Sequence, residues 1–362
     1  MTEQVPIISL AGYYRTGLHS SEGQSIIQTI ATAASTWGFF LITDTEVSPK
    51  IQSSLLSTSQ AFFDLPLCIK EALDVRAGGV AWRGYMPLGG EHTHGQIDWK
   101  EGLYVGPEHS DEHPFIGLPL HGKNQFPDQA LPNMRQEVLQ YVNEVIKLGK
   151  ALTDMFSLSL GLDKEELRKR FLEPEPVVIF RCFKYAPIEG DAVNGPSGGE
   201  DGFGIGEHTD FGYLTILKVD SPGLQVLSPT DKWVDVPCVE TSFVVNVGDM
   251  FDQLTWGRYR SRPHRVRRPI SGSLPRYSFP LFFDFAWNAE MERLSLEHLS
   301  PLSENEKELA ELRWAATTFR EVKGRWSQYL ARKVQKVFPN MGLPDFGPNA
   351  APSTRFTREV VS

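Results

Sequence analysis

Gly206-Glu207-His208-Thr209-Asp210-Phe211-Gly212 runs directly into Tyr213-Leu214-Thr215-Ile216-Leu217. The second half of this stretch is rich in β-branched and aromatic residues, which predicts a strand. Residues i and i+2 of a strand project to one side, so His208 and Asp210 are expected to leave one strand together. A second histidine stands far downstream in Arg262-Pro263-His264-Arg265-Val266, at the head of another β-prone run, and has to be brought alongside by the fold. Arg276-Tyr277-Ser278 repeats the i, i+2 arrangement with a guanidinium and a hydroxyl. Two imidazoles and one carboxylate occupy one face of an octahedral metal and leave the opposite positions open, the donor set of a non-haem iron that activates oxygen.

Working outward, the chain from Pro176 onward reads as short strands: Val177 to Tyr185, Tyr213 to Val219, Gly223 to Leu227, Lys232 to Val236, Ser242 to Val247, His264 to Arg268 and Tyr277 to Phe283. Ser228-Pro229-Thr230-Asp231 and Gly248-Asp249 are turn signals between them. Strands at a spacing of roughly ten residues point to a sandwich or jelly roll. Before them, Val5 to Leu10 and Phe39 to Ile42 read as strands, and helices are predicted from Ser21 to Trp37, ending at Gly38, and from Pro49 to Phe63. Val138, Val142, Val145, Leu148 and Leu152 recur at helical intervals in Met134 to Leu160, the longest helix and the expected backing of the sheet. A shorter helix follows from Asp163 to Phe171, and Gly78 to Gly106 suits loops and short strands. The expectation is a mainly β fold with flanking helices (α+β), a jelly-roll core backed by a long helix. We divide the single domain, 1–362, into a helical and extended flank (1–175), the core (176–290), and a C-terminal helix (302–338) that Gly324 bends; the tail from Pro339 is expected to be draped or loose.

Composition narrows the functional class. A formal net charge of −9 argues against nucleic acid or an anionic membrane as the main partner. The three cysteines, Cys68, Cys182 and Cys238, lie far apart with no Cys-x-x-Cys pair, so no disulfide framework or zinc knuckle is encoded and a reducing compartment is expected. No run reaches the ~18 apolar residues of a spanning helix. A cytoplasmic monomer acting on a small molecule is the reading.

These residues resemble a family. Val5-Pro6-Ile7-Ile8-Ser9-Leu10, Trp37-Gly38-Phe39-Phe40, His208-Thr209-Asp210, Gly223-Leu224-Gln225-Val226, Val244-Val245-Asn246-Val247-Gly248-Asp249, Arg258-Tyr259-x-Ser261, Pro263-His264-Arg265-Val266 and Arg276-Tyr277-Ser278 are similar, in order and spacing, to the 2-oxoglutarate and Fe(II)-dependent dioxygenases of the isopenicillin N synthase-like group. That resemblance implies a double-stranded β-helix core, iron on His208, Asp210 and His264, and the distal carboxylate of 2-oxoglutarate on Arg276 and Ser278, with a further phenolic bond from Tyr185. It implies Fe(2+), 2-oxoglutarate and O2 as cofactors, and coupling of 2-oxoglutarate decarboxylation to hydroxylation, desaturation or cyclisation of a small metabolite, as in secondary metabolism. An Asn-x-Tyr pair common in plant relatives appears here as Phe183-Lys184-Tyr185, and the interval from His264 to Arg276 is longer than usual, which suggests a longer hairpin at Ile270 to Leu274.

For the substrate pocket the resemblance directs attention to Arg83, Tyr85, His92, Trp99, Phe211, Phe283 and Phe285. His92-Thr93-His94 imitates a metal pair but has no third ligand, and Gly202-Phe203-Gly204-Ile205-Gly206 lacks the strand, helix and acidic residue of a dinucleotide fingerprint. Three rivals stand beside the dioxygenase: an Fe(II)/O2 oxidase of the same fold that does not use 2-oxoglutarate, a non-catalytic small-molecule binding protein, and a zinc hydrolase using the same ligands.

Overall fold

The computed structural model describes residues 3–93, 96–187, 202–317 and 322–337. The elements run β1 (Ile7–Ser9), α1 (Ala11–Thr16), α2 (Ser21–Thr36), β2 (Phe39–Thr43), α3 (Pro49–Phe63), α4 (Leu67–Glu71), a 3-10 turn (Val75–Ala81), β3 (Gly84–Met86), β4 (His92–Thr93), β5 (Gln96–Ile97), β6 (Glu101–Val105), α5 (Met134–Ser159), α6 (Glu166–Phe171) and β7 (Val177–Tyr185). They continue with β8 (Phe203–His208), β9 (Leu214–Val219), β10 (Leu224–Leu227), β11 (Trp233–Asp235), β12 (Phe243–Val247), α7 (Asp249–Leu254), β13 (His264–Arg267), β14 (Arg276–Asp284), α8 (Glu304–Ala316) and α9 (Trp326–Val337).

Two sheets carry the jelly roll. The larger has eight strands in the order β1-β2-β12-β9-β14-β7-β6-β3, and the smaller has four, β11-β10-β13-β8. Four strands of the larger sheet come from before residue 176, so the N-terminal flank completes the same sheet as the core strands. The central strands β12 and β14 are buried almost throughout, which matches their near-continuous apolar sequence. The β14–β7 pairing lapses at Phe279 and Pro280, where proline has no N–H to give. Helix α5 covers the outer face of the large sheet: Val138, Val142, Val145, Leu148 and Leu152 are buried, and Gly149 lets the helix come down on the Phe283 ring.

Several expectations are corrected. The Gly-rich run before His208 is a strand, β8, because Gly204 must pass over Tyr185, whose ring would overlap an added Cβ. Asp210 lies beyond the end of that strand, so the two ligand candidates leave a strand end and the turn that follows it. The segment Ile270 to Leu274 is no hairpin turn, since β13 and β14 belong to different sheets and the chain crosses between them there. The C-terminal helix is two helices: α8 ends at Ala316, where Thr317 turns to extended backbone, and α9 starts at Trp326, shortly after Gly324 at a φ of 81°. The tail from Pro339 lies outside the described residues. Among the described residues no helix is long and apolar enough to cross a membrane.

Gly38 fixes how α2 hands over to β2. It holds φ at 66°, donates to Ala33 O, and accepts from Val247 N of β12. A Cβ there would overlap Arg260 O. Gly38→Ala is expected to destabilise the fold by about 2–4 kcal/mol, through left-handed strain plus a backbone clash. A thermal melt checks this; an unchanged midpoint would contradict it.

Candidate active site

The β13–β8 ladder places His264 directly opposite His208, so the two imidazoles meet across the strands with ring centroids 4.2 Å apart. Their Nδ1 atoms face carbonyl oxygens, Gly206 O at 2.8 Å and Arg262 O at 3.3 Å. A carbonyl only accepts, so each Nδ1 carries the proton and each Nε2 presents a lone pair. Asp210 is oriented from the large sheet: Thr215 Oγ1 on β9 (2.5 Å) and Asn246 Nδ2 on β12 (2.7 Å) both donate to Oδ2. Its Oδ1 lies 4.0 Å from His208 Nε2 and 3.8 Å from His264 Nε2. Burial pushes the Asp210 carboxyl up, but the two histidines and the two donors outweigh it and hold it below the ordinary carboxylate range. Burial, then the His264 neighbour, pushes His208 down to about 3, so its imidazole is neutral at physiological pH. One ligand atom from each residue converges, all within 4.8 Å of one another.

A second cluster shows why convergence alone does not suffice. His109, His121 and Glu175 also bring ligand-type atoms together. Here Gly122 N–H donates to His109 Nδ1 (3.1 Å), and Phe115 N–H donates to the neighbouring His113 Nδ1 (3.1 Å). Those bonds put the ring protons on Nε2, pointing at Glu175 from 3.6 Å and 3.1 Å. His109 and His113 therefore face the carboxylate as donors, which leaves only His121, whose Nδ1 meets Pro119 O at 2.8 Å, with an imidazole turned as a ligand would be.

Arg276 opens β14 opposite Tyr185 of β7, with its guanidinium 5.2 Å from that ring's centre. It is 2% exposed, its Nε donates to Ser221 O and Pro222 O, and Nη1 and Nη2 are buried with no partner. Ser278, also buried, stands two residues on and so on the same face. Burial lowers the Arg276 pKa, opposed by Tyr185 and Asp220. Leaving a guanidinium buried and half-unpaired costs several kcal/mol unless a partner arrives, and two parallel N–H donors fit a carboxylate. The Tyr185 ring touches both this guanidinium and Gly204 of β8, so the anchor and the ligand-bearing strand share a neighbour.

Comparison with known proteins settles the family. Residues 5–129 match the N-terminal domain model described as "non-haem dioxygenase in morphine synthesis N-terminal", and 178–285 match that of the 2OG-Fe(II) oxygenase superfamily. The chain is 35% identical over 355 residues to a probable iron/ascorbate oxidoreductase of Dictyostelium discoideum, covering 94% of this chain and 96% of the relative. It is 32% identical to the 2-oxoglutarate-dependent dioxygenase caaD of Aspergillus niger, covering 84% and 88%. The chain belongs to the 2-oxoglutarate and Fe(II)-dependent oxygenases. Its fold matches that of a full-length Neurospora crassa protein solved in complex with alpha-KG, at a TM-score of 0.75 and 21% identity over 92% of this chain and 96% of that one. As a member of this oxygenase family it is an oxidoreductase with Fe(2+), 2-oxoglutarate and O2 as its cofactors.

The oxygenase's open cavity, of about 200 Å³, lies against His208, Thr209 and Asp210. Of the residues expected to line it, His92 and Phe211 do, Phe211 stacking on Trp326 of α9. The others are placed elsewhere. Arg83 is buried and donates to Pro107 O, Gly122 O and Leu120 O, a structural clamp on the loop. Tyr85 gives its hydroxyl to Glu101, and Trp99 stacks under Arg268. Phe283 faces α5, and Phe285 packs between Tyr213 and Trp326. The pocket wall instead includes Phe282, whose position follows from parity: Arg276, Ser278 and Phe282 share one face of β14, as do Ile179, Arg181, Phe183 and Tyr185 on β7. Leu330 and Lys333 of α9, Ile205 of β8, and Trp82, Glu91, Asp98 and Lys100 also line it.

Asn246→Ala removes a donor that aims Asp210. Affinity for Mn(II), measured calorimetrically, is expected to fall about 10–100-fold; an unchanged affinity would sink the orienting role.

Proposed function

We propose that His208 Nε2, Asp210 Oδ1 and His264 Nε2 hold Fe(II), and that Arg276, with Ser278, binds the far carboxylate of 2-oxoglutarate while Tyr185 supports the guanidinium from below. The enzyme hydroxylates, desaturates or cyclises a small organic metabolite seated in the cavity beside His208. The observation that carries this reading is the pair of unpartnered, buried Nη atoms on Arg276, which a dicarboxylate would satisfy. When bound, iron and 2-oxoglutarate supply oxygen activation through oxidative decarboxylation to succinate and CO2. The chain's own part is geometric. Gly206 O and Arg262 O fix the imidazole tautomers, Thr215 and Asn246 leave one carboxylate oxygen free, and Arg276 sets the direction of the diacid. Trp82, Phe183, Phe211 and Phe282 surround the reacting space with apolar surface that limits water.

We take it to be a cytoplasmic monomer, and the acidic balance speaks against nucleic acid or an anionic membrane as its partner. We take 1–362 as one domain, since flank strands and core strands complete one sheet. A second reading, an Fe(II)/O2 oxidase that does not consume 2-oxoglutarate, is kept because a 29% identical relative of Dictyostelium mucoroides bears the name 1-aminocyclopropane-1-carboxylate oxidase. Substrate-dependent release of one succinate per product supports the dioxygenase; product without succinate supports the oxidase. Arg276→Lys loses the two-pronged donor but keeps the charge, and is expected to raise the KM for 2-oxoglutarate about tenfold or more. An unchanged KM would contradict the anchoring role.

A further inference from the structure

Resting on the site reading above, we propose that Asp98 is the substrate-recognising acceptor, and that the substrate is an uncharged, flat molecule directing an N–H or O–H at Asp98 Oδ1. Four charged side chains form the polar wall of the cavity. Arg181 Nη1 donates to Glu91 Oε1 (2.8 Å), and Lys100 Nζ reaches both Glu91 Oε2 (2.8 Å) and Asp98 Oδ2 (2.5 Å). Arg181 is further stacked 4.1 Å from the Tyr104 ring, and Lys100 sits 4.8 Å from the Phe183 ring. Two cations meet two carboxylates, so this buried quartet carries no net charge.

That balance decides what the wall accepts. A substrate carboxylate placed against this quartet would have to break an existing buried pair, and breaking one leaves an uncompensated charge. A cationic amine would enter a neutral, aromatic-lined space and forfeit its hydration for one acceptor whose charge Lys100 already answers. An uncharged donor meets neither obstacle. Asp98 Oδ2 is used twice, by Lys100 and by Thr93 Oγ1, whereas Oδ1 is buried without a partner on a side chain 3% exposed. Arg181 Nε is also buried and unpartnered, so the same wall offers one donor beside the acceptor. Beyond the quartet the lining includes Trp82, Ile205, Phe211, Phe282 and Leu330, an apolar and largely aromatic surface that suits a ring, and Lys333, whose Nζ lies 5.2 Å from the Phe211 ring centre. Arg276 does not line this cavity, so recognition of the substrate and of the co-substrate falls to separate groups.

The test uses full-length protein loaded with Mn(II) and 2-oxoglutarate, with binding read by calorimetry so that no turnover is needed. Two matched sets of probes are compared: phenol, anisole and benzoate, and indole, 1-methylindole and indole-2-carboxylate. In at least one set the donor is expected to bind about tenfold tighter than its methylated counterpart, with the carboxylate weakest, because capping the donor leaves Oδ1 unsatisfied. Asp98→Ala should bring that preference close to one. Should that variant fail to fold, Asp98→Leu, which is nearer in size and carries no acceptor, takes its place, and the wild-type order stands as an independent measurement. The proposal is overturned if carboxylates bind best, if capped and free donors bind alike, if the preference survives removal of the Asp98 carboxylate, or if no donor binds at millimolar concentration. Failure of wild-type protein to take up Mn(II) and 2-oxoglutarate would instead overturn the site assignment on which this rests.

Discussion

The pairing of His264 with His208 across the β13–β8 ladder is the constraint on which the rest depends. A shift of one residue in that register would send one imidazole to the opposite face of the sheet. The register is held on both sides: β13 also pairs with β10, and irregularities between β13 and β8 beyond His264 absorb the mismatch away from the ligand pair. The carboxylate comes from the turn after β8 and is aimed by two strands of the other sheet. The three ligand atoms therefore converge only where the two sheets face each other, and each sheet contributes to the direction of at least one of them.

Charge is handled in two different ways around this point. On the co-substrate side Arg276 is buried with two donors unmet, a state that favours whatever anion completes it. On the proposed substrate side the two cations of the quartet, Lys100 and Arg181, are matched by Glu91 and Asp98, and the quartet's own unmet atoms are Asp98 Oδ1 and Arg181 Nε. The first arrangement attracts a dianion and the second discourages one. Two ligands of different chemistry are thus sorted to the two sides of one centre without a moving part.

Much of this is legible in the sequence, and the exceptions have physical causes. His208, Asp210, His264, Arg276 and Ser278 stand out because few other roles require those residue types at those intervals. Helix α3 has the bounds its caps suggest, Ser48 before it and Pro66 after. Strand β8 is hidden because glycine, a poor strand former, stands at 202, 204 and 206; close contact with Tyr185 demands it at Gly204. The resemblance points to Phe283 rather than Phe282, although period-two alternation from Arg276 already favours the latter. Arg83 has the look of a ligand-binding guanidinium, but its partners are backbone carbonyls of a distant loop, which no local pattern discloses. The quartet of Glu91, Asp98, Lys100 and Arg181 depends on β7 meeting the residues that flank the β4–β5 pair, a long-range juxtaposition that only the fold supplies.

The account is tested most directly by anaerobic titration of the full-length protein with Fe(II) and 2-oxoglutarate, followed by the weak visible charge-transfer absorption of the metal chelate. The wild-type protein should develop the band at one equivalent of each, and Asp210→Ala should not. Persistence of the band and of 2-oxoglutarate affinity in Asp210→Ala would show that the three side chains are not the iron site.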